Sequence, residues 1–170
     1  MPEPDFLEPA GTGPVPDATA VSERIRRLVE ARPYGVLCTQ SQSQPYGSLV
    51  ALAATPDLAA FVFATPVATR KFRLLSECAN VALVIDSRSG APDEFMQVEA
   101  VTVTGQAHRI EPGPDFGRWA DLLTARHTHL AGFVRAESSA LFRIDVIRYL
   151  HVRRFQEVQQ WVPRPLTRSL

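Results

Sequence analysis

The sequence has no block of clustered Lys or Arg, no CxxC pair, no GxSxG elbow and no long apolar run, and each gap removes a class of function. Eighteen basic and eighteen acidic side chains cancel to a formal net charge of zero. A nucleic-acid binder or a protein held on an anionic membrane surface carries a basic stripe, so neither partner is expected. The two cysteines, Cys38 and Cys78, sit in separate apolar segments. That placement suits buried, reduced thiols and gives neither a zinc ribbon nor a disulfide framework. Without the elbow, and with no evident base beside Ser48, nothing supports a nucleophilic triad. No stretch approaches the roughly 18 apolar residues of a membrane span. The first twenty residues carry four acidic side chains and no basic one, the reverse of a secretory signal. The expectation is a soluble, cytoplasmic protein.

What is present fits one globular unit, since 170 residues with 45% apolar content match the usual size of a single domain. Five prolines crowd residues 1–16 among Glu, Asp, Gly and Ala, a composition that cannot bury a core. This sets a Pro-rich arm over 1–17, expected to be disordered, before a domain over 18–165. Val21, Ile25, Leu28 and Val29 then share one helical face, Asp17 or Thr19 can cap the start, and Pro33 stops the end. Short apolar runs at 34–39, 46–54, 58–65 and 80–86 read as strands, the first three joined by hairpin-length turns. After a loop at 87–94, the Val- and Thr-rich run 95–110 predicts a long strand with Gly105 as a bulge or close approach. Phe116, Trp119, Ala120 and Leu123 predict a helix packed into the core, with a second short helix near 130–134. The last run, 140–155, predicts a half-buried strand with Ala140, Phe142, Ile144, Val146, Leu150 and Val152 inward. Strands joined by short turns, with helices inserted rather than alternating, predict a mainly β fold with flanking helices (α+β): a small closed or partly closed barrel.

One stretch raises a question of charge. In TPVATRKF (65–72), Arg70 and Lys71 fall in the first turn of the predicted helix. The macrodipole and the free amides make that end partly positive, which disfavours cations and welcomes an anion. Thr65 and Thr69 offer hydroxyls, Pro66 stiffens the turn, Arg70 offers a planar fork and Lys71 a point charge. Together they suit a phosphate; from spacing alone, two solvated surface cations fit as well. His127 and His129, in RHTHL, lack a carboxylate or thiol at metal spacing and read as polar groups at a helix end, so no metal site is expected. His108 and His151 stand alone in strands.

The pattern Thr65-x-x-x-Thr69-Arg70-Lys71 resembles the phosphate-binding stretch of the pyridoxamine 5'-phosphate oxidase-like FMN-binding split-barrel family. The flanking segments follow in the family's order: an amphipathic helix, GVLCT, QPYGSLVALA, FVFATPVATRKFRLLSECANVALVID and a Val-rich strand ending TGQA. The resemblance covers residues 21–111 well and the C-terminal third in outline. It implies an antiparallel Greek-key split β-barrel of about six strands and a homodimer with FMN at the interface. By this resemblance Arg70 and Lys71 bind the FMN phosphate, and Thr65 and Thr69 bond phosphate or ribityl oxygens. Ser48, Leu49 and Val50 lie along the isoalloxazine; Arg88, from its place in the chain just after the fourth strand rather than from a matched motif, is a candidate second cation. The partner's C-terminal region, near Trp161, completes the site, with Tyr46 and His151 as polar groups near the cleft. The family's true oxidase has Arg and Lys in the strand matching 48–53 and Gln at the position of Ala100; this chain has none of them, which argues against vitamin B6 oxidation. The implied activity is an FMN-dependent oxidoreductase passing hydride to or from a small molecule, possible partners being NAD(P)H and dioxygen. The alternatives are a non-catalytic flavin- or haem-binding protein for storage or sensing, a haem-degrading one with an axial His, and a deazaflavin-dependent reductase.

Overall fold

The computed structural model describes residues 18–88, 96–154 and 157–163. The Pro-rich arm and most of the expected 87–94 loop lie outside these residues. Helix α1 (Ala18–Ala31) buries Val21, Ile25, Leu28 and Val29, and Pro33, which cannot continue a helix, follows its end. Strand β1 (Tyr34–Ser41) turns into β2 (Gln44–Ala54) through Gln42 and Ser43, at φ 50° and 65°. Two consecutive positive φ angles are what a two-residue hairpin loop needs to match strand twist. From β2 the chain passes a short turn, in which the Asp57 carboxylate accepts from the Thr55 hydroxyl and the Ala59 amide, into β3 (Ala60–Pro66).

Helix α2 (Arg70–Glu77) then carries the chain away from β3, so that β4 (Asn80–Asp86) pairs with β1 instead. This crossover makes the order Greek-key-like. Strand β5 (Ala100–Ile110) pairs with β4, and β6 (Ser139–Arg153) pairs with β5 along its length. The first half of β6 closes on β3, from Ala60↔Asp145 to Pro66↔Ser139. Six antiparallel strands thus form a closed barrel in the order β3-β2-β1-β4-β5-β6. A seventh, β7 (Glu157–Trp161), adds to the free second half of β6. It lies beyond the expected six because EVQQW has too few apolar residues to read as a strand.

The bulge falls where Gly105 predicts one. Thr104 pairs with Arg148 but Gly105 with Val146, so Ile147 has no partner and turns outward. An added Cβ at Gly105 would stand 2.5 Å from the Asp145 carbonyl oxygen, so this position admits no larger residue without a backbone shift. The extra residue also reverses the alternation of β6. Upstream, Phe142 and Ile144 point inward as expected; downstream, Tyr149 and His151 are buried and Leu150 and Val152 face outward. The inward assignment of Leu150 and Val152 is corrected by that one-residue slip. Strand β5 starts at Ala100 rather than 95, after a turn at Met96 and Gln97.

Two cores result. Inside the barrel, Leu37, Leu52, Phe61, Phe63, Leu83 and Tyr149 pack with α1 and with Leu75 of α2. Outside it, α3 (Phe116–Arg126) and α4 (Ala131–Val134) seat Trp119, Ala120, Leu123 and Val134 on Ala53, Val62 and Leu141. Both cysteines are free and half-buried.

Candidate functional site: the β3–α2 turn and its β2 wall

Strand β3 ends because Pro66 has no amide to donate, and the turn that follows delivers the start of α2 to the side of β2. Thr69 caps α2: its hydroxyl accepts from the Phe72 amide at 3.2 Å and donates to the Pro66 carbonyl at 2.8 Å. The buried Thr65 hydroxyl lies 3.1 Å from that of Thr69. The first turn of α2 contains no acidic side chain. Its free amides and the Arg70 and Lys71 cations therefore sum to a positive end with no counter-ion in that turn, Glu77 lying at the other end of the helix.

Both cations lean on β2. The Arg70 guanidinium carbon stands 5.0 Å from the centre of the Tyr46 ring, within cation–π range. The Lys71 ammonium donates to the Leu49 carbonyl at 3.5 Å, and burial pushes its pKa below the usual lysine value. Ser48 and Val50 pair with Leu37 and Gly35 and point into the barrel, whereas Leu49 pairs with Val36 and stands 69% exposed on the outer sheet face. The three share a stretch of backbone, not a surface. The Ser48 hydroxyl oxygen is buried and, among the described residues, has no hydrogen-bond partner.

The structure joins Thr65, Thr69, Arg70 and Lys71 at one turn and sets it against β2 through the Tyr46 ring and the Leu49 carbonyl, while Ser48 and Val50 share that strand but face the barrel interior. Arg88 is elsewhere. It follows the far end of β4, pairs with Asp86 at 3.0 Å, and lies two strands across from β2, so one chain does not bring it to Arg70 and Lys71. Trp161 packs on Tyr149 of its own chain, ring centres 5.3 Å apart. The Arg70–Tyr46 stack was not legible in sequence; the only signal was the hairpin register that puts Tyr46 beside Ser48.

The histidines scatter. His127 is buried with Nε2 3.0 Å from the Leu52 carbonyl oxygen, and His129 is exposed against it. His151 is buried, with Nε2 3.4 Å from a Glu99 carboxylate oxygen. His108 stands 3.8 Å from Asp145 and lines an open pocket of about 260 Å³ with Arg109, Glu111, Asp115 and Arg143. Charges of both signs line that pocket, and Trp119 beside it is core, as its helical spacing predicts. Among the described residues no three His, Cys, Asp or Glu side chains gather as a metal site. No described helix is long and apolar enough to cross a membrane.

A family model described as pyridoxamine 5'-phosphate oxidase matches residues 21–159. No curated protein matches the chain. Among solved structures, a haem-binding protein from Mycobacterium smegmatis superposes with a TM-score of 0.74 at 18% identity, over 86% of this chain and 58% of that one. A FAD-binding protein from Mesorhizobium loti gives a TM-score of 0.62 at 13% identity, over 76% of this chain and 92% of that one. The haem storage protein HutZ from Vibrio cholerae gives 0.60 at 14% identity, over 83% of this chain and 93% of that one. At such identities the likeness is one of fold. The chain spans less than two thirds of the length of the Mycobacterium protein.

Proposed function

The chain belongs to the pyridoxamine 5'-phosphate oxidase-like split-barrel family, and from that premise we propose that it is a cytoplasmic FMN-binding oxidoreductase acting on a small molecule as a homodimer. The observation that carries the reading is the unbalanced positive start of α2, where Thr65, Thr69, Arg70 and Lys71 converge with no carboxylate in the helix's first turn. A phosphate monoester suits it, taking the free amides, the Arg70 fork and the Lys71 ammonium together. The Ser48 hydroxyl, buried on the barrel side of β2 and without a partner among the described residues, would gain from a ligand atom that reached past the strand, since an unsatisfied buried hydroxyl costs about 1–3 kcal/mol.

Bound FMN would supply hydride chemistry at its central ring, with NAD(P)H, a small organic molecule or dioxygen as the other party. The residues present hold and orient it. Lys71 would hold the phosphate beside Leu49, whose side chain faces the outer sheet surface; Thr65 would turn its hydroxyl from Thr69 toward a ligand oxygen, and Thr69 would do so only by giving up the Pro66 carbonyl. No cation stands on β2 between Ser48 and Ala53, and residue 100 is Ala; these departures set vitamin B6 oxidation aside.

Haem is the alternative that the neighbours' descriptions favour. Against it, two of the four histidines are buried and engaged, His127 with Leu52 and His151 with Glu99. Absorbance of protein titrated with each ligand separates the readings: flavin bands that shift on saturation support FMN, a Soret band supports haem. Charge-assisted phosphate bonds contribute roughly 1.5–3 kcal/mol each. Arg70→Ala with Lys71→Ala is therefore expected to weaken FMN binding at least about a hundredfold without lowering the melting temperature. Unchanged affinity in the double variant refutes the phosphate assignment.

A further inference from the structure

We propose that Tyr46 is a positioning residue that sets the phosphate selectivity of the site, holding Arg70 ready without touching the ligand; this rests on the flavin reading above. Arg70 is exposed and lies at a helix end whose dipole repels it. A long side chain there would sample many rotamers, and a ligand that immobilised it would lose affinity to that ordering. The Tyr46 ring removes part of the cost. It holds the guanidinium carbon 5.0 Å from its centre, and stacking on a ring face leaves the in-plane N–H groups free to donate.

The rest of the cradle shows why this contact matters. The Thr69 hydroxyl is committed to the Pro66 carbonyl and the Phe72 amide, and the Lys71 ammonium to the Leu49 carbonyl. Each of those groups must exchange a protein partner for the ligand. Among the described residues the Arg70 guanidinium meets the aromatic face of Tyr46, which a phosphate need not displace. Tyr46 itself is fixed by the β1–β2 hairpin: it pairs with Thr39, whose hydroxyl donates to the Tyr46 carbonyl at 3.3 Å. A strand position thereby determines the pose of a helix side chain 24 residues further on.

Selectivity between FMN and riboflavin, which lacks the phosphate, provides the test. Tyr46→Leu is expected to weaken FMN binding about fivefold, in line with a partly desolvated cation–π contact, and to leave riboflavin binding unchanged. Tyr46→Phe, which keeps the ring, is expected to bind both like the parent. In an Arg70→Ala background Tyr46→Leu should add nothing. Tyr46→Thr, a strand-compatible change, gives the same comparison if Tyr46→Leu does not fold. An equal loss for both flavins would mean that Tyr46 touches the ring system or only supports the hairpin, and overturns the inference. Unaltered FMN affinity in Tyr46→Leu or Tyr46→Thr overturns it as well. These failures leave the flavin reading standing, because the parent still prefers FMN. A parent that binds neither flavin removes that reading and the inference with it.

Discussion

At the scale of single residues, a one-residue bulge decides the chemistry of a strand. Had β6 kept its alternation past Val146, His151 would face solvent and Leu150 the core. With Ile147 turned out, His151 goes fully inside, against the Glu99 carboxylate, with Arg24 of α1 and Arg153 of its own strand as the nearby cations and Gln159 opposite on β7. Burial is the largest influence and lowers the His151 pKa; the hydrogen bond and charge of Glu99 oppose it, and the two arginines reinforce it. The unfolded chain, titrating near about 6.5, then binds more protons than the folded one as pH falls. The neutral imidazole's contribution is complete above that value and is lost as pH drops through the lowered folded pKa, with a limiting slope of about 1.4 kcal/mol per pH unit. Urea unfolding between pH 7 and 5 should show a steeper loss of stability for the parent than for His151→Gln. Parallel slopes would mean that His151 titrates alike in both states.

At the scale of elements, periodicity was readable and contacts between distant segments were not. The stripe of Val21, Ile25, Leu28 and Val29 located α1, and NVALVID located β4 to the residue, because apolar spacing is a local property. How α1 ends is not local. Arg126, on α3, donates one guanidinium nitrogen to the carbonyls of Val29 at 2.7 Å and of Glu30 and Arg32 at 2.9 Å. It thereby satisfies acceptors that a helix C-terminus always leaves over. The positive charge also suits the negative end of the dipole, and burial of the guanidinium lowers its pKa without neutralising it. Nothing within RHTHL or ARPYG signals this link; it exists only once α3 has packed against β2 and β3. Arg126→Ala should cost about 1.5–3 kcal/mol by leaving those carbonyls unpaired, read as a lower denaturation midpoint with an unchanged m-value. A change below about 0.5 kcal/mol would show that water replaces the arginine at no cost. The candidate site divides the same way. Thr65, Thr69, Arg70 and Lys71 fall within the one stretch 65–71 and could be grouped from sequence, whereas Tyr46 joins them only through hairpin register, and Arg88, chosen by its place after β4, is carried away from them by that strand.

At the scale of the whole molecule, the barrel has one wall that none of the described helices covers. Helices α1 and α2 add Ile25 and Leu75 to the barrel's interior core, and α3 and α4 cover β3 and the first half of β6. The outer face of β1, β4 and β5 presents Val36, Cys38, Ala82, Val84 and Thr102, all half-buried, continued by the exposed Leu49 on β2 and by Leu150 on β6. We propose that this face, uncharged at these positions and flanked by Asp86 and Arg148, is where the homodimer proposed above would form about a two-fold axis. The β3–α2 turn adjoins this face, since Leu49 places its side chain on the face and its carbonyl on Lys71. A dimer built here would set the flavin between subunits, and it is also a route by which Arg88, remote within its own chain, could reach a flavin held by another copy. Val84→Arg, at the centre of the face and paired with Val36 and Thr102, places a charge where an interface of at least about 1,200 Å² would be dry. Light scattering should then report a dimer for the parent and a folded monomer for Val84→Arg, and the monomer should bind FMN at least about tenfold more weakly because half of the ligand's surroundings are gone. A monomeric parent would refute the two-fold face. A monomeric variant with parental FMN affinity would instead keep the dimer and place the whole flavin site within one chain.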